Sequence, residues 1–181
     1  MNEVELIRAQ LSVERRHASD VTRALSAVAS RSGDGLATAQ DFRQAGVDYL
    51  VWTLSRFEER EQTFHDLLRS RASPDDAERR AVESALGKTG TSREALAKLE
   101  TALGSPPGAD SERLGRWADF QQFFAGAWSA RRDALDKLFT QQATVSDWRA
   151  VSGIDADSIF DERSRYARVR AALPPGIELP A

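Results

Sequence analysis

Residues 2–29 read NEVELIRAQLSVERRHASDVTRALSAVA, and this stretch decides the fold class. Its apolar residues recur at alternating intervals of three and four, which places them along one face of an α-helix. Asn2 and Glu5 have the spacing of a helix capping box, so the helix is predicted to begin there. One acidic residue interrupts the apolar face. The face consists of Val4, Ile7, Leu11, Glu14, Ala18, Val21, Leu25 and Val28.

The same periodicity continues downstream between recognisable helix boundaries. It predicts a second helix from Thr38 or Asp41 to about Arg71, and a long later helix from Asp110 or Ser111 to about Gln142. Shorter helical segments are predicted at Ser73 to about Gly87, at 92–103 after a Thr91–Glu94 capping box, as a turn from Ser146-Asp147, and at roughly 156–173 before an extended tail. The inward face of the second helix comprises Val47, Leu50, Leu54, Phe57, Glu61, Phe64 and Leu68. That of the long later helix comprises Leu114, Trp117, Gln121, Phe124, Trp128, Arg131, Leu135 and Leu138. That of the last helix comprises Ile159, Glu162, Tyr166, Val169 and Leu173.

These patterns predict an all-α protein with no strand pairing. We expect an antiparallel up-and-down four-helix bundle over residues 1–151. Residues 152–181 are expected to add a C-terminal helix and an extended tail packed on the same domain.

Composition narrows the classes of function. The chain has 181 residues, 41% of them hydrophobic, a net charge of −3 and no cysteine. Without cysteine it has no disulfide, thiolate metal site or thiol nucleophile. The charge balance gives no general basic surface for nucleic acid. The longest run of large apolar residues, 49–52, is far too short to cross a bilayer, and the N-terminus lacks a signal-peptide pattern, so a cytoplasmic protein is expected.

The ionisable residues within the apolar faces require a partner, because an inward carboxylate is costly unless it is paired, hydrogen-bonded, protonated or metal-bound. Two interpretations stand side by side. In one, Arg131 lies between Glu14 and Glu61 as a core ion pair, since a guanidinium can bridge two carboxylates. In the other, iron or manganese is bound by Glu14, His17, Glu61 and His65. Histidines at such positions are more often structural than metal ligands, and two imidazoles make a poor nitrogen-ligand set.

A third interpretation concerns the aromatic side chains on the inward faces. Helical bundles often bind small molecules between their helices. Such a pocket is expected to be lined by Trp52, Trp117, Phe124 and Trp128. The simplest expectation for Trp117, Phe124 and Trp128 is that they are core residues.

Two stretches resemble the hemerythrin-like (HHE cation-binding) family. LSRFEEREQTFHDLL at 54–68 is similar to that family's second helix, and LDKLFTQQATVSDWRAV at 135–151 to the end of its fourth helix and the following turn. The resemblance implies the bundle fold and a di-iron centre used in oxygen, nitric oxide or redox chemistry. The ligand pattern departs from it: the second-helix histidine falls on Arg56 and its carboxylate on Arg60 or Glu61. His17 aligns only with a two-residue shift.

The sequence therefore favours a hemerythrin-like bundle with a degenerate centre that acts as a non-enzymatic binding, regulatory or interaction module without a cofactor. Its partner is expected to be a protein or a small ligand, not nucleic acid or membrane, and a homodimer is left open. The alternatives are an iron- or manganese-dependent oxygen-handling protein or oxidoreductase and a small-ligand-binding bundle.

Overall fold

A computed structural model describes residues 2–29, 39–71, 80, 90–103 and 110–179. All regular secondary structure in these ranges is helical, which confirms the predicted all-α class. The predicted segment from Ser73 to about Gly87 lies outside the described residues, apart from Arg80. We number the helices α1 (Glu3–Ala29), α2 (Gln40–Arg71), α3 (Ser92–Leu103), α4 (110–142), α5 (Val145–Ser152) and α6 (Ala156–Ala171).

The helix starts at α1 and α3 are the predicted capping boxes. The Asn2 amide donates to Glu5 Oε2 at 2.8 Å, and the Glu5 amide donates to Asn2 Oδ1 at 2.9 Å. Thr91 and Glu94 make the same reciprocal pair, at 2.6 and 3.1 Å. Each box satisfies two backbone amides that the first turn of a helix cannot satisfy internally.

Helix α4 is interrupted by one π-helical segment. It is α-helical over Asp110–Phe123, π-helical over Phe124–Trp128 and α-helical again over Ser129–Gln142. Short π segments within α-helices often occur at functional sites. This one carries two aromatic side chains of the inward face, Phe124 and Trp128, which are stacked with ring centroids 4.5 Å apart.

The C-terminal part of the chain is more ordered than predicted. The expected turn from Ser146-Asp147 is helix α5, and its N-cap is Thr144, with Asp147 completing a capping box. Helix α6 begins at a second box, between Asp155 and Ser158. The tail predicted to be extended instead turns at residues 175–176, so that Ile177 is buried against the core.

Two apolar cores lie along the helices. The larger core is formed by α1, α2, α3, the first part of α4 and α6. The smaller core lies at the other end of α1 and consists of Ile7, Leu11, Phe64, Leu135, Phe139 and Trp148. The predicted α1 face is confirmed, because Val4 is half-buried and all its other members are buried. None of the helices in the described part of the chain is long and apolar enough to cross a membrane.

Two glycines allow a matched stability test. Gly153 ends α5 with φ 56° and ψ 28°, a left-handed conformation that disfavours a side chain. Gly115 is exposed within α4, and an added Cβ there would meet no atom within 4 Å. We expect Gly153→Ala to lower the free energy of unfolding by about 1 kcal/mol and Gly115→Ala to raise it by up to about 1 kcal/mol. Urea unfolding followed by circular dichroism measures both, and equal effects would contradict the assigned α5 terminus.

Candidate ligand-binding site

The deepest charge on α1, the Glu14 carboxylate, is 1% exposed and is paired with Arg60 of α2. Arg60 Nη1 donates to Glu14 Oε2 at 2.6 Å, and Nη2 donates to Oε1 at 3.3 Å. The same guanidinium donates through Nε to the Ser152 carbonyl at 2.6 Å. One arginine therefore joins α1, α2 and the end of α5.

A second polar junction joins α2, α3 and α4. The Ser92 hydroxyl donates to Glu61 Oε1 at 2.8 Å and accepts from Trp128 Nε1 at 2.9 Å. Arg131 Nε lies 3.5 Å from Glu61 Oε2, within ion-pair distance. Arg131 Nη2 also lies 3.3 Å from His65 Nε2. Ser92 itself is fully buried, at the first turn of α3.

The sequence predicted one arginine between the two glutamates, whereas in the structure each glutamate has its own arginine partner. Arg131 lies beside Glu61, as predicted, but the structure pairs Glu14 with Arg60. Arg60 was not among the residues predicted to face inward. Its spacing from Phe57 and Phe64, three and four residues away, is that of an inward face and could have identified it.

A third polar group surrounds Glu162 of α6, which is fully buried. Glu162 Oε1 lies 2.7 Å from His17 Nδ1 and accepts from the Tyr49 hydroxyl at 2.8 Å. The His17 ring stacks on Tyr166 with centroids 3.6 Å apart. In the described structure Glu162 Oε2 and the Tyr166 hydroxyl are buried without a hydrogen-bond partner. These contacts hold α6 against α1 and α2, and the sequence did not predict the role of Tyr49.

The four residues predicted as metal ligands do not come together as one site. Glu14 is taken by Arg60, His17 by Glu162, and Glu61 by Ser92 and Arg131, while His65 lies against Arg131. Across the described residues there is no group of three or more histidine, aspartate or glutamate side chains that could hold a metal ion. The donor set does not fit iron or manganese, because guanidinium groups occupy the carboxylates.

A cavity lies beside the first two junctions, at the boundary between the two cores. Its volume is about 70 Å³. A single water needs ~10–15 Å³, so there is room for roughly five waters. Apolar and aromatic side chains dominate the wall, with a few charges among them. The lining includes Leu11, Arg15, Phe57, Arg60, Glu61, Phe64, Trp128, Arg132, Leu135, Asp136, Phe139, Trp148 and Val151.

A second, wider groove lies between α1 and α4. Its volume is about 380 Å³. Trp128 and Arg132 line both spaces. The remaining groove residues are Ser19, Thr22, Arg23, Gln121, Phe124, Ala125 and Ser129. Of the four aromatic residues predicted to line a pocket, Trp128 and Phe124 do so here.

The other two predicted pocket residues line neither space. Trp117 is buried against Phe120 in the larger core and donates from Nε1 to the Ser26 hydroxyl at 2.6 Å. The half-buried Trp52 ring lies between the guanidinium groups of Arg56 and Arg165, at 5.0 and 5.3 Å from its centroid.

Burial shifts the protonation equilibria of this region. It raises the pKa of the Glu61 carboxyl above its usual value, although Ser92 and Arg131 oppose the shift. It lowers the pKa of Arg60, which the Glu14 carboxylate partly restores. Burial also raises the pKa of Tyr49, and the neighbouring Glu162 charge adds to that rise, so Tyr49 remains a hydrogen-bond donor.

Removing Arg60 should destabilise the fold strongly. Arg60→Met is expected to lower the free energy of unfolding by about 3–5 kcal/mol, because it leaves the Glu14 charge buried and unpaired. Adding Glu14→Gln should restore much of the loss, since the stranded charge is then gone. The control is Arg93→Met, at an exposed pair with Glu58, which should cost less than ~1 kcal/mol. Chemical unfolding of the four proteins checks this, and a double variant no more stable than Arg60→Met would refute it.

Glu61 should make stability depend on pH in a specific direction. Because its folded-state pKa lies above the ordinary value of 4.5, the folded state keeps this proton to higher pH than the unfolded chain. The parent protein should therefore lose stability relative to Glu61→Gln as pH rises from about 4.5 through the raised pKa. Urea unfolding at several pH values measures the difference, with Glu59→Gln on the exposed side of α2 as control. A difference that stays constant or changes in the opposite direction would contradict the assignment.

Comparison with known proteins gives no match to this chain. The chain matches no protein-family model, and neither the curated proteins nor the solved structures contain a match. The hemerythrin-like resemblance therefore stays a prediction from the sequence. The function has to be argued from the buried ion pairs, the cavity and the groove.

Proposed function

We propose that this protein is a non-enzymatic helical-bundle module that binds a small molecule in the central cavity, and that it acts through that ligand as a regulatory or interaction protein. The observation that carries the proposal is the cavity itself. Its wall combines five aromatic rings and three aliphatic side chains with five charged and two hydroxyl side chains. Small-molecule sites typically combine an apolar wall with polar groups that fix the ligand's orientation.

The bundle is further proposed to have the up-and-down topology of hemerythrin-like proteins. Contacts between helices support opposite chain directions for neighbours. Along α1 and α2, Glu14 pairs with Arg60, and the Leu25 side chain approaches Gly46. Along α1 and α4, Arg15 pairs with Asp136, and Ser26 bonds to Trp117. In both pairs of helices, residue numbers rise on one helix as they fall on the other.

Arginine is proposed to replace the cation at the centre of this bundle. In the family that the sequence resembles, metal ions neutralise the inward carboxylates. Here the guanidinium groups of Arg60 and Arg131 lie beside Glu14 and Glu61. This arrangement favours binding over redox chemistry, because the carboxylates are already satisfied and both imidazoles have other partners.

Phenol is a suitable probe, because its one ring and one hydroxyl match a wall that combines aromatic rings with polar groups. We expect it to shift the NMR resonances of Trp128 and Trp148, which line the cavity, but not those of Trp52 and Trp117. Val151→Phe should fill part of the cavity and weaken binding by about tenfold or more, because the ring and the new side chain compete for one space. The control is Val145→Phe on the exposed side of the same helix.

Two further outcomes distinguish the proposed ligand-binding function from its metal-dependent rival. If the two valine variants bind phenol equally, or if the cavity tryptophans do not respond, the proposed site is wrong. Elemental analysis of protein purified without chelator tests the alternative. An iron- or manganese-dependent protein would retain near-stoichiometric metal and lose it on Glu61→Ala.

A further inference from the structure

The central cavity reaches the protein surface between α1 and the second part of α4. Most of the side chains that line it are buried, but Asp136 is 39% exposed, Arg132 21% and Arg15 18%. A side chain that both lines a cavity and contacts solvent lies where the cavity wall meets the surface. Arg15 belongs to α1, whereas Arg132 and Asp136 lie one turn apart on α4. These three residues therefore mark the mouth of the cavity.

Side chains, and not close backbone packing, span the mouth. The first part of α4, Asp110–Phe123, packs closely on α1, but among the described residues no Cα of Ser129–Gln142 lies within 8 Å of an α1 Cα. Arg15 bridges this gap, because its Nη2 donates to Asp136 Oδ1 at 2.6 Å and its Nη1 donates to Oδ2. Arg132 instead donates to Asp133 and to Ser129, both on its own helix.

The ion pair at the mouth differs from the one deeper in the wall in how readily it can open. More than a third of the Asp136 side chain is exposed, so water can replace the arginine when the pair separates. The Arg60 and Glu14 side chains of the deeper pair are 10% and 1% exposed, and separating them would leave a buried charge unpaired. The Arg15–Asp136 pair can therefore open while the pair that joins the helices stays closed.

We infer that the Arg15–Asp136 ion pair is a latch over the mouth of the cavity, and that small molecules enter and leave the cavity when this pair opens. The inference rests on the proposed ligand-binding function and adds the residues that control access to the site. A latch that does not itself hold the ligand changes the rates of binding and release by the same factor, so the affinity stays the same.

Two indole N–H groups report access of water to the cavity without any ligand. Trp128 Nε1 donates to a serine hydroxyl in the cavity wall, and Trp117 Nε1 donates to another serine hydroxyl in the larger core. Asp136→Asn should speed exchange of the Trp128 indole proton with water about threefold or more and leave that of Trp117 unchanged. The control is Asp133→Asn, on an exposed carboxylate of the same helix that does not line the cavity. NMR solvent exchange on the full chain measures all three proteins.

Salt tests the latch in the parent protein. Raising sodium chloride from about 0.05 to about 0.5 M should speed Trp128 indole exchange, because salt screens a partly exposed ion pair. The same change should have little effect on Asp136→Asn, in which the pair is already broken. Phenol binding kinetics, from NMR line shapes, should show both rate constants raised about threefold or more by Asp136→Asn, with the Kd changed less than about twofold.

The outcomes separate the latch from the proposed function. Unchanged Trp128 exchange in Asp136→Asn, or equal acceleration of Trp128 and Trp117, would overturn the latch and leave equilibrium binding in the cavity untouched. A weaker phenol affinity with an unchanged binding rate would also overturn it, because Asp136 would then be a ligand contact. If Trp128 exchange responds as expected and phenol does not bind, the latch stands and the proposed function fails.

Discussion

The contact between Glu14 and Arg60 is the constraint on which the arrangement of the bundle depends. Burying a carboxylate that is 1% exposed is costly without a donor, and the relative position of α1 and α2 in the structure supplies a bidentate one. The same guanidinium also binds the Ser152 carbonyl, which fixes where α5 ends. Because three helices meet at one planar group, sliding any one of them breaks at least one of its hydrogen bonds.

The polar side chains divide the interior into two unequal cores. Desolvation offsets most of the attraction within a buried ion pair, so these pairs contribute more to helix register than to net stability. They also prevent the two cores from merging. The cavity lies at this boundary, where guanidinium groups and aromatic rings from both cores meet.

The sequence predicted the helices well, because helix periodicity and capping are local properties. The Asn2–Glu5 and Thr91–Glu94 boxes and the α1 face all depend on residues within a few turns of each other. It also identified Glu14, Glu61 and Arg131 as inward. It failed on Arg60 and Tyr49, and it grouped His17 with Glu14, although His17 contacts Glu162. Those partners lie on different helices, and only the three-dimensional register brings them together.

The π-helical segment of α4 affects how the second half of this helix is rotated relative to the first. Trp117, Trp128 and Phe139, all buried, occur at every eleventh position, a repeat of about 3.67 residues per turn. A regular α-helix has 3.6, so its buried stripe would slowly rotate away from the core unless the helix supercoiled. The wider turn at Phe124–Trp128 lies within this run and sets the rotation of the half of α4 that follows it. Loss of a single residue within this turn would rotate the following half of α4, and with it Arg131 and Arg132, by about a quarter turn. The orientation of Arg132, which lines both the cavity and the groove, thus depends on this one turn of the backbone.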